Sequence, residues 1–172
     1  MDHWKELIRP IPDFPSPGIV FRDITPLLRH PRALSAVIEA LASGLGRGEV
    51  DAVAAVESRG FIFGAPLAVR LGAGFVPIRK LGKLPAATIR REYALEYGSG
   101  HLEMHRDALR PGDRVLLVDD VLATGGTAAA AAVMVEELGG RIIEIAFVVE
   151  LLALGGRGRL PDAYPVRALL EF

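Results

Sequence analysis

Residues 114–127 read RVLLVDDVLATGGT, and this stretch predicts both the fold of the chain and a binding site. The run 115–118 is continuous, apolar and rich in valine, which is typical of a strand buried on both faces of a parallel sheet. Asp119 and Asp120 follow at the point where we expect that strand to end. After the glycines, the alanine-rich run 128–138 predicts a helix. The order of strand, acidic pair, glycine turn and helix indicates a phosphate site on an α/β unit.

The glycine turn carries the prediction of phosphate binding. Gly125 and Gly126 let backbone N–H groups approach an anion closely, and the N-terminus of the following helix adds partial positive charge. Thr124 and Thr127 can each donate a hydroxyl hydrogen bond. The turn is neither a lysine-containing Walker loop nor the spaced-glycine dinucleotide fingerprint. The predicted phosphate loop comprises Ala123, Thr124, Gly125, Gly126 and Thr127.

The acidic pair implies a ligand that is more than a phosphate. Two adjacent carboxylates repel each other and any anion beside them, so the bound ligand has to compensate. Ribose hydroxyls donate hydrogen bonds to carboxylates, and a magnesium ion would neutralise their charge. A sugar 5-phosphate therefore fits both halves of the predicted site. The alternative is a surface turn with a solvated Asp119-Asp120 pair.

Further apolar runs predict the rest of the sheet. The helix that opens at Pro31 carries an apolar stripe of the i, i+3, i+4, i+7 type. Alternating strands and helices predict right-handed βαβ crossovers in one α/β domain, residues 1–172, with an open, mostly parallel twisted sheet flanked by helices. Strands are expected at 52–56, 74–78 and 141–149, an edge strand at 166–170, and a further helix at 64–71.

Two segments lie outside this alternation. Residues 1–30, the N-terminal hood, are expected to hold a short helix at 4–8, irregular structure at 13–17 and an extended piece at 18–22. Residues 79–105, the lid segment, contain two runs on either side of Gly98-Ser99-Gly100, which predicts a hairpin. Long excursions of this kind are often lids over active sites, so we expect a flexible lid here. The two runs of the hairpin are 88–95 and 101–104.

Polar residues follow three of the predicted strands. Ligands of open α/β sheets bind beyond the carboxyl ends of the strands, so these residues are expected to share one site. Arginine can bind a phosphate group bidentately. A solvated basic loop is the alternative interpretation of Arg79, Lys80 and Lys83. The polar segments are Glu57-Ser58-Arg59, Arg79-Lys80 and Asp119-Asp120.

Composition excludes several classes of protein. With 172 residues and 51% hydrophobic content, the chain can bury a substantial core. A net charge of −1 gives no electrostatic footprint for nucleic acid or for an anionic membrane. There is no cysteine for a disulfide or a thiolate metal site. Among the histidines only His101 and His105 have a spacing that could suit a metal, and without further His or Cys nearby solvated side chains are favoured. Without a signal segment or an apolar span, a cytoplasmic location is expected.

The stretch 115–127 resembles the phosphoribosyl pyrophosphate motif of the type I phosphoribosyltransferase family. Other segments, in the same order along nearly the whole chain, are similar to the adenine-using members of that family. At position 57 this chain has Glu, where Asp also occurs in the family. The matching segments are FPSPGIVFRDITP at 14–26, ESRGFIFG at 57–64, RKLGKLP at 79–85 and YALEYG at 93–98.

The resemblance implies an enzyme of purine salvage. It would transfer the 5-phosphoribosyl group from phosphoribosyl pyrophosphate to adenine, giving AMP and pyrophosphate, with Mg²⁺ held mainly by substrate and water. Asp119 and Asp120 would hold the ribose, and Glu96 would handle a proton on the base. The peptide bond between Glu57 and Ser58 would be cis. The implied pyrophosphate site is Glu57, Ser58, Arg59, Arg79, Lys80 and Lys83, and the implied lid tyrosines are Tyr93 and Tyr97.

The resemblance also implies where the base binds. Adenine would lie against Phe21, with backbone groups of Val20 and Arg22 at its edge, in a homodimeric protein. Pattern alone favours a core position for Phe21 and an exposed hairpin position for Glu96. Two alternatives stay open. One is a regulator that binds the same ligands without turnover, which normally carries a DNA-binding extension or a basic face. The other is an enzyme for hypoxanthine, guanine or xanthine.

Overall fold

A computed structural model describes residues 2–94 and 99–172 of the chain. Its largest feature is a seven-stranded sheet, and a separate two-stranded sheet lies near the N-terminus. The helices are α1 (Asp2–Lys5), α2 (Thr25–Arg29), α3 (Pro31–Leu41), α4 (Arg59–Leu71) and α5 (Gly126–Glu137), with 3₁₀ turns at Leu152–Leu154 and Gly156–Arg159. The strands are β1 (Arg9–Pro12), β2 (Val20–Asp23), β3 (Ala52–Val56), β4 (Gly74–Lys80), β5 (Thr88–Ala94), β6 (Ser99–His105), β7 (Arg114–Leu122), β8 (Arg141–Glu150) and β9 (Val166–Glu171).

The large sheet has the predicted open, mostly parallel architecture. Its strand order is β5-β6-β4-β3-β7-β8-β9. The five neighbouring strands β4, β3, β7, β8 and β9 run parallel to one another. On strand β7, the side chains of Val115 and Leu117 pack on the face of the sheet covered by α5. Those of Leu116 and Val118 pack on the opposite face, covered by α3 and α4. This double burial explains the continuous apolar run and confirms β7 as a central strand. Within residues 2–94 and 99–172, no helix is long and apolar enough to cross a membrane.

Strand β7 is longer than its apolar run predicts. It continues to Leu122, because its pairing with β8 extends to the pair Leu122 and Glu150. The predicted end at Val118 is therefore wrong, and Asp119 and Asp120 lie within the strand, near its carboxyl end. Successive side chains of a strand point to opposite faces, so the two carboxyl groups leave the sheet in different directions.

The N-terminal segments differ from the prediction in detail. The first helix covers Asp2–Lys5 instead of 4–8. Residues 6–8 form a turn instead, in which the N–H groups of Leu7 and Ile8 donate to the carbonyls of Trp4 and Lys5 at 3.0 and 3.1 Å, before Arg9 pairs with β2. The extended piece at 18–22 corresponds to β2, and the helix from Pro31 is confirmed. Helix α4 begins at Arg59 and not at Gly64, because Phe63 belongs to the same buried face as Leu67 and Leu71.

The predicted hairpin is formed by β5 and β6, which are built into the sheet. Strand β6 pairs with the end of β4, and Ile89, Leu102 and Met104 are buried in the core. Ser99 belongs to β6 and not to the turn, while residues 95–98 lie outside the described part of the chain. A lid motion of the whole segment would break these core contacts, so the two strands act as a packed base for the residues that join them.

Candidate active site

A cleft of about 390 Å³ opens at the carboxyl ends of β3, β4 and β7. The predicted convergence of polar strand ends therefore occurs in the structure. The cleft is bordered by the first residues of α4, by the hairpin and by the loop that enters α5. Its polar lining residues are Glu57, Ser58, Arg59, Lys80, Tyr93, Asp119, Asp120 and Thr127.

The acidic pair is the most perturbed feature of the cleft. Asp120 is only 4% exposed, and its backbone N–H donates to Asp119 Oδ1 at 2.8 Å. Burial raises the pKa of Asp119 well above its usual value, and the neighbouring charge of Asp120 adds to the effect. Burial also raises the pKa of Asp120, although Arg59 opposes it. The site therefore favours a ligand that brings hydrogen-bond donors or positive charge to these two groups.

Arg59 connects the acidic pair to the N-terminal segment. Its Nε lies 2.7 Å from Asp120 Oδ2, and its guanidinium carbon lies 5.2 Å from the centre of the Phe21 ring. The charges are close, but within the described residues this buried carboxylate oxygen accepts no hydrogen bond of good geometry. Asp120 Oδ2 thus keeps hydrogen-bonding capacity for a donor from a ligand.

The residues predicted to hold pyrophosphate do not all line the cleft. The peptide bond between Glu57 and Ser58 is cis, as the resemblance implied. Arg79 Nε donates to Glu57 Oε2 at 2.7 Å, so that arginine is already paired. The backbone N–H of Lys83 donates to the buried carboxylate of Glu103 at 2.7 Å. Of the three basic residues from 79 to 83, only Lys80 is among the lining residues of the cleft.

The predicted phosphate loop lines a cavity beside the cleft. A small cavity of about 70 Å³ is lined by Thr124, Gly125 and Thr127 and adjoins Asp119. Gly125 has φ +81°, a conformation that glycine adopts without strain, and it directly precedes the first residue of α5. The first turn of this 12-residue helix thus faces the cavity with free backbone N–H groups.

Tyr93 lies in the cleft between the hairpin and the predicted phosphate loop. It is buried on β5 and lines the cleft together with Thr127. Burial raises the pKa of Tyr93, and the charge of Glu57 raises it further, so the hydroxyl group stays protonated at neutral pH. Among the predicted lid residues Tyr93 is therefore placed in the cleft, whereas Glu96 and Tyr97 lie outside the described residues.

Strand β2 presents Phe21 beside Arg59. Phe21 is half-buried and meets Phe14 edge-on at 5.3 Å, so the core position favoured by the apolar pattern is wrong. The neighbouring side chains point elsewhere: Val20 is exposed, and the guanidinium carbon of Arg22 lies 4.4 Å above the Phe172 ring. The groups of β2 that can contact a ligand beside Arg59 are therefore the ring of Phe21 and the backbone.

Two carbonyl oxygens of β2 receive no donor from β1. Val20 faces Pro12 and Arg22 faces Pro10 in the antiparallel ladder. If these are hydrogen-bonded positions, proline has no N–H to donate; if they are not, both carbonyls point away from β1. With either hydrogen-bonding pattern of the ladder, β1 supplies no donor to the carbonyl oxygens of Val20 and Arg22. Sequence reasoning missed this effect, although Pro10 and Pro12 are visible in the sequence.

The fold and this site are those of a phosphoribosyltransferase. The family described as "Phosphoribosyl transferase domain" matches residues 23–171. The adenine phosphoribosyltransferase of Acidothermus cellulolyticus is 59% identical over 95% of this chain and 92% of its own length. That of a Cyanothece species is 56% identical over 98% of both chains.

Solved structures agree with these relatives. The adenine phosphoribosyltransferase of Rhodothermus marinus superposes with a TM-score of 0.94 at 53% identity, over 99% of this chain and 97% of that one. The Saccharomyces cerevisiae enzyme, solved with adenine and an iminoaltritol bisphosphate, gives 0.91 at 42% identity over 98% and 97%. The chain belongs to the phosphoribosyltransferase family and, within it, to the adenine phosphoribosyltransferases.

Proposed function

We propose that the cleft binds phosphoribosyl pyrophosphate and adenine side by side and forms AMP. The reaction is purine salvage: the 5-phosphoribosyl group moves from pyrophosphate to adenine, and pyrophosphate leaves. One observation supports this assignment most strongly. An acidic pair, in which Asp120 is buried and its Oδ2 has unused hydrogen-bonding capacity, adjoins a glycine loop at a helix N-terminus, which matches the two ends of a ribose 5-phosphate.

The acidic pair holds the ribose in this proposal. Its 2- and 3-hydroxyls donate to Asp119 and Asp120, and the 5-phosphate accepts from backbone N–H groups at residues 123–127. As pyrophosphate departs, C1 of the ribose gains positive charge. Carboxylates next to that carbon stabilise the charge, and the fixed positions of both ligands lower the entropic barrier. Ligand binding favours ionisation of the pair, because each hydrogen bond to a carboxylate lowers its pKa.

The leaving pyrophosphate is bound by cations and by the backbone near the cis peptide. Lys80 lines the cleft, and Arg59 stands at the start of α4. Arg79 and Lys83 are not among the residues that line the cleft, and Arg79 orients Glu57 by donating to its carboxylate. The described residues contain no group of three or more His, Asp or Glu that could hold a metal ion by itself. This fits Mg²⁺ bound mainly by substrate oxygens and water, since that ion often uses one or two carboxylates plus phosphates. When bound, Mg²⁺ supplies positive charge to the leaving group.

Adenine recognition rests on the backbone of β2. The exocyclic amino group of adenine is a donor, and the carbonyl oxygens of Val20 and Arg22 receive no donor from β1. Phe21 stacks on the purine face. A 6-oxo purine would present an oxygen to the same carbonyls, leaving two acceptors unpaired at about 1–3 kcal/mol for each group. This mismatch favours adenine over hypoxanthine, guanine and xanthine.

Further parts of the assignment stay predictions. Glu96 is proposed to handle the proton on the base, with Tyr97 beside it in the lid. A homodimer and a cytoplasmic location are also proposed, from family resemblance and from the composition of the chain. A non-catalytic regulator is less favoured, because the adenine phosphoribosyltransferase relatives match nearly the whole chain at more than half identity.

The test is direct formation of nucleotide. Purified protein is incubated with Mg²⁺, phosphoribosyl pyrophosphate and equal concentrations of adenine, hypoxanthine, guanine and xanthine, and the products are separated by chromatography. AMP is expected as the main product. Equal formation of IMP or GMP would reject the choice of base while keeping the ribose site, and the absence of any nucleotide would reject the enzyme.

A further inference from the structure

The phosphate loop, residues 123–127, is supported on its far side from the cleft by a short 3₁₀ turn, Gly156–Arg159, which we call the backing turn. Gly156 is buried against the loop, and a Cβ atom on it would collide with the carbonyl oxygen of Ala123. A Cβ atom on Gly125 would in turn collide with the carbonyl oxygen of Gly156. Two backbones therefore touch at a point where neither side tolerates a side chain.

The backing turn is held by Arg157. Its Nε donates to Glu150 Oε1 at 3.1 Å, its Nη2 forms a short contact with Glu150 Oε2, and its Nη1 donates to the carbonyl oxygen of Val166 at 2.6 Å. A planar guanidinium can make these three bonds at once, because its donors form a rigid fork. Arg157 thereby fixes the turn to the ends of two strands, β8 and β9.

Glu150 connects the backing turn to the strand that leads into the active site. It is the last residue of β8, is 3% exposed, and pairs with Leu122 at the end of β7. The next backbone N–H, that of Leu151, donates to the carbonyl oxygen of Leu122 at 2.9 Å. Leu122 directly precedes the phosphate loop. The loop is thus fixed in front by β7 and behind by the backing turn, and the ion pair between the half-exposed Arg157 and the buried Glu150 joins the two supports.

We infer that Arg157 and Glu150 are positioning residues for phosphate binding, acting through the contact between Gly156 and Gly125. The inference rests on the proposed function and adds to it: the pair sets affinity for the phosphorylated sugar and not for the base. A shift of the turn moves the backbone N–H groups of the loop, and anion binding depends on their alignment. The purine site at Phe21 is formed by β2, which does not contact the backing turn through this pair.

The first variant is Arg157→Lys, which keeps the charge but loses the fork. An ammonium group cannot hold both carboxylate oxygens and the Val166 carbonyl in one plane. We expect KM for phosphoribosyl pyrophosphate to rise by about tenfold and KM for adenine to stay nearly unchanged. Calorimetry with ribose 5-phosphate alone should show an equal loss of affinity. Gly156→Ala, which presses directly on the loop, should give the same pattern.

A matched control is available in Arg167→Lys. Arg167 Nε donates to Glu144 Oε1 at 2.6 Å and its other donors reach carbonyl oxygens of Ala40 and Leu41. It therefore makes the same kinds of bond, to a carboxylate of β8 and to backbone carbonyl oxygens, but these carbonyls belong to α3, away from the phosphate loop. We expect this variant to lower the melting temperature while both KM values stay at the wild-type level.

Two outcomes would overturn the inference. One is an Arg157→Lys protein that melts earlier but binds ribose 5-phosphate as tightly as wild type, which would make the pair purely structural. The other is an equal rise in both KM values. Failure of the proposed function is distinguishable, since the wild-type protein would then form no AMP, whereas calorimetry with ribose 5-phosphate would still compare the variants.

Discussion

Replacing Asp119 with Asn is expected to make the protein more stable and at least about tenfold less active. Asn preserves the shape of the side chain and still accepts the hydrogen bond that the Asp120 N–H gives to Oδ1. It removes a charge whose burial, next to Asp120, is unfavourable without a ligand. A strained functional group of this kind lowers stability in exchange for activity, and its removal commonly yields about 1 kcal/mol.

The effect should depend on pH in a defined direction. The pKa of Asp119 in the folded protein is raised above its usual value of 3.8, so the folded state binds this proton more tightly than the unfolded state. Wild-type stability is therefore lost as pH rises above the unfolded value, and the advantage of Asn grows over the same range. At pH 7 a gain of about 1 kcal/mol corresponds to a melting temperature roughly 2–4 °C higher for a chain of this size. Well below pH 3.8 the two proteins should converge.

Urea unfolding at pH 7 and pH 4 measures this difference, and AMP formation measures the loss of function. Turnover should fall by at least about tenfold, or 1.4 kcal/mol in the barrier. Asp51→Asn is a control of opposite sign: hydrogen bonds from Arg114 lower the pKa of Asp51 to about 2. Its stabilising effect is present above pH 3.8 and is lost as pH falls through about 2, so Asn there should destabilise at pH 7. An Asp119→Asn protein that is less stable than wild type at pH 7, or equally active, would refute the reasoning.

Further perturbations test the rest of the site. Arg59→Ala should weaken binding of phosphoribosyl pyrophosphate more than binding of AMP, because AMP has no pyrophosphate; equal losses in calorimetry would indicate a structural role. Glu96→Gln should lower turnover more than substrate affinity, and a change in affinity alone would remove Glu96 from the catalytic residues. Within residues 84–104, limited proteolysis without ligand should cut first where the packed strands β5 and β6 are joined, and substrate should protect that point; uniform resistance without ligand would argue against a lid. Sedimentation at micromolar concentration should show a dimer, and a monomer peak alone would contradict this expectation.

The sequence by itself determined the fold class and the central part of the site. A four-residue apolar run predicted the doubly buried strand β7, because a parallel strand covered on both faces has no polar side. The order of acidic residues, paired glycines and helix predicted the phosphate loop, since these are consecutive in the chain and their geometry is local. The general rule for strand ends predicts that Glu57, Lys80 and Asp119 share one cleft, because all three follow or end apolar strands.

Only the tertiary structure decided the partners of each charge. Arg59 faces Asp120 and Phe21, while Arg79 is paired with Glu57, and spacing along the chain cannot distinguish these two arginines. The half-buried position of Phe21 depends on the ladder between β1 and β2, and the true end of β7 depends on its pairing with β8. The support of Gly125 by Gly156 joins residues about thirty positions apart. Contacts of this kind arise when elements dock, and docking is set by the burial of whole faces, which no local pattern contains.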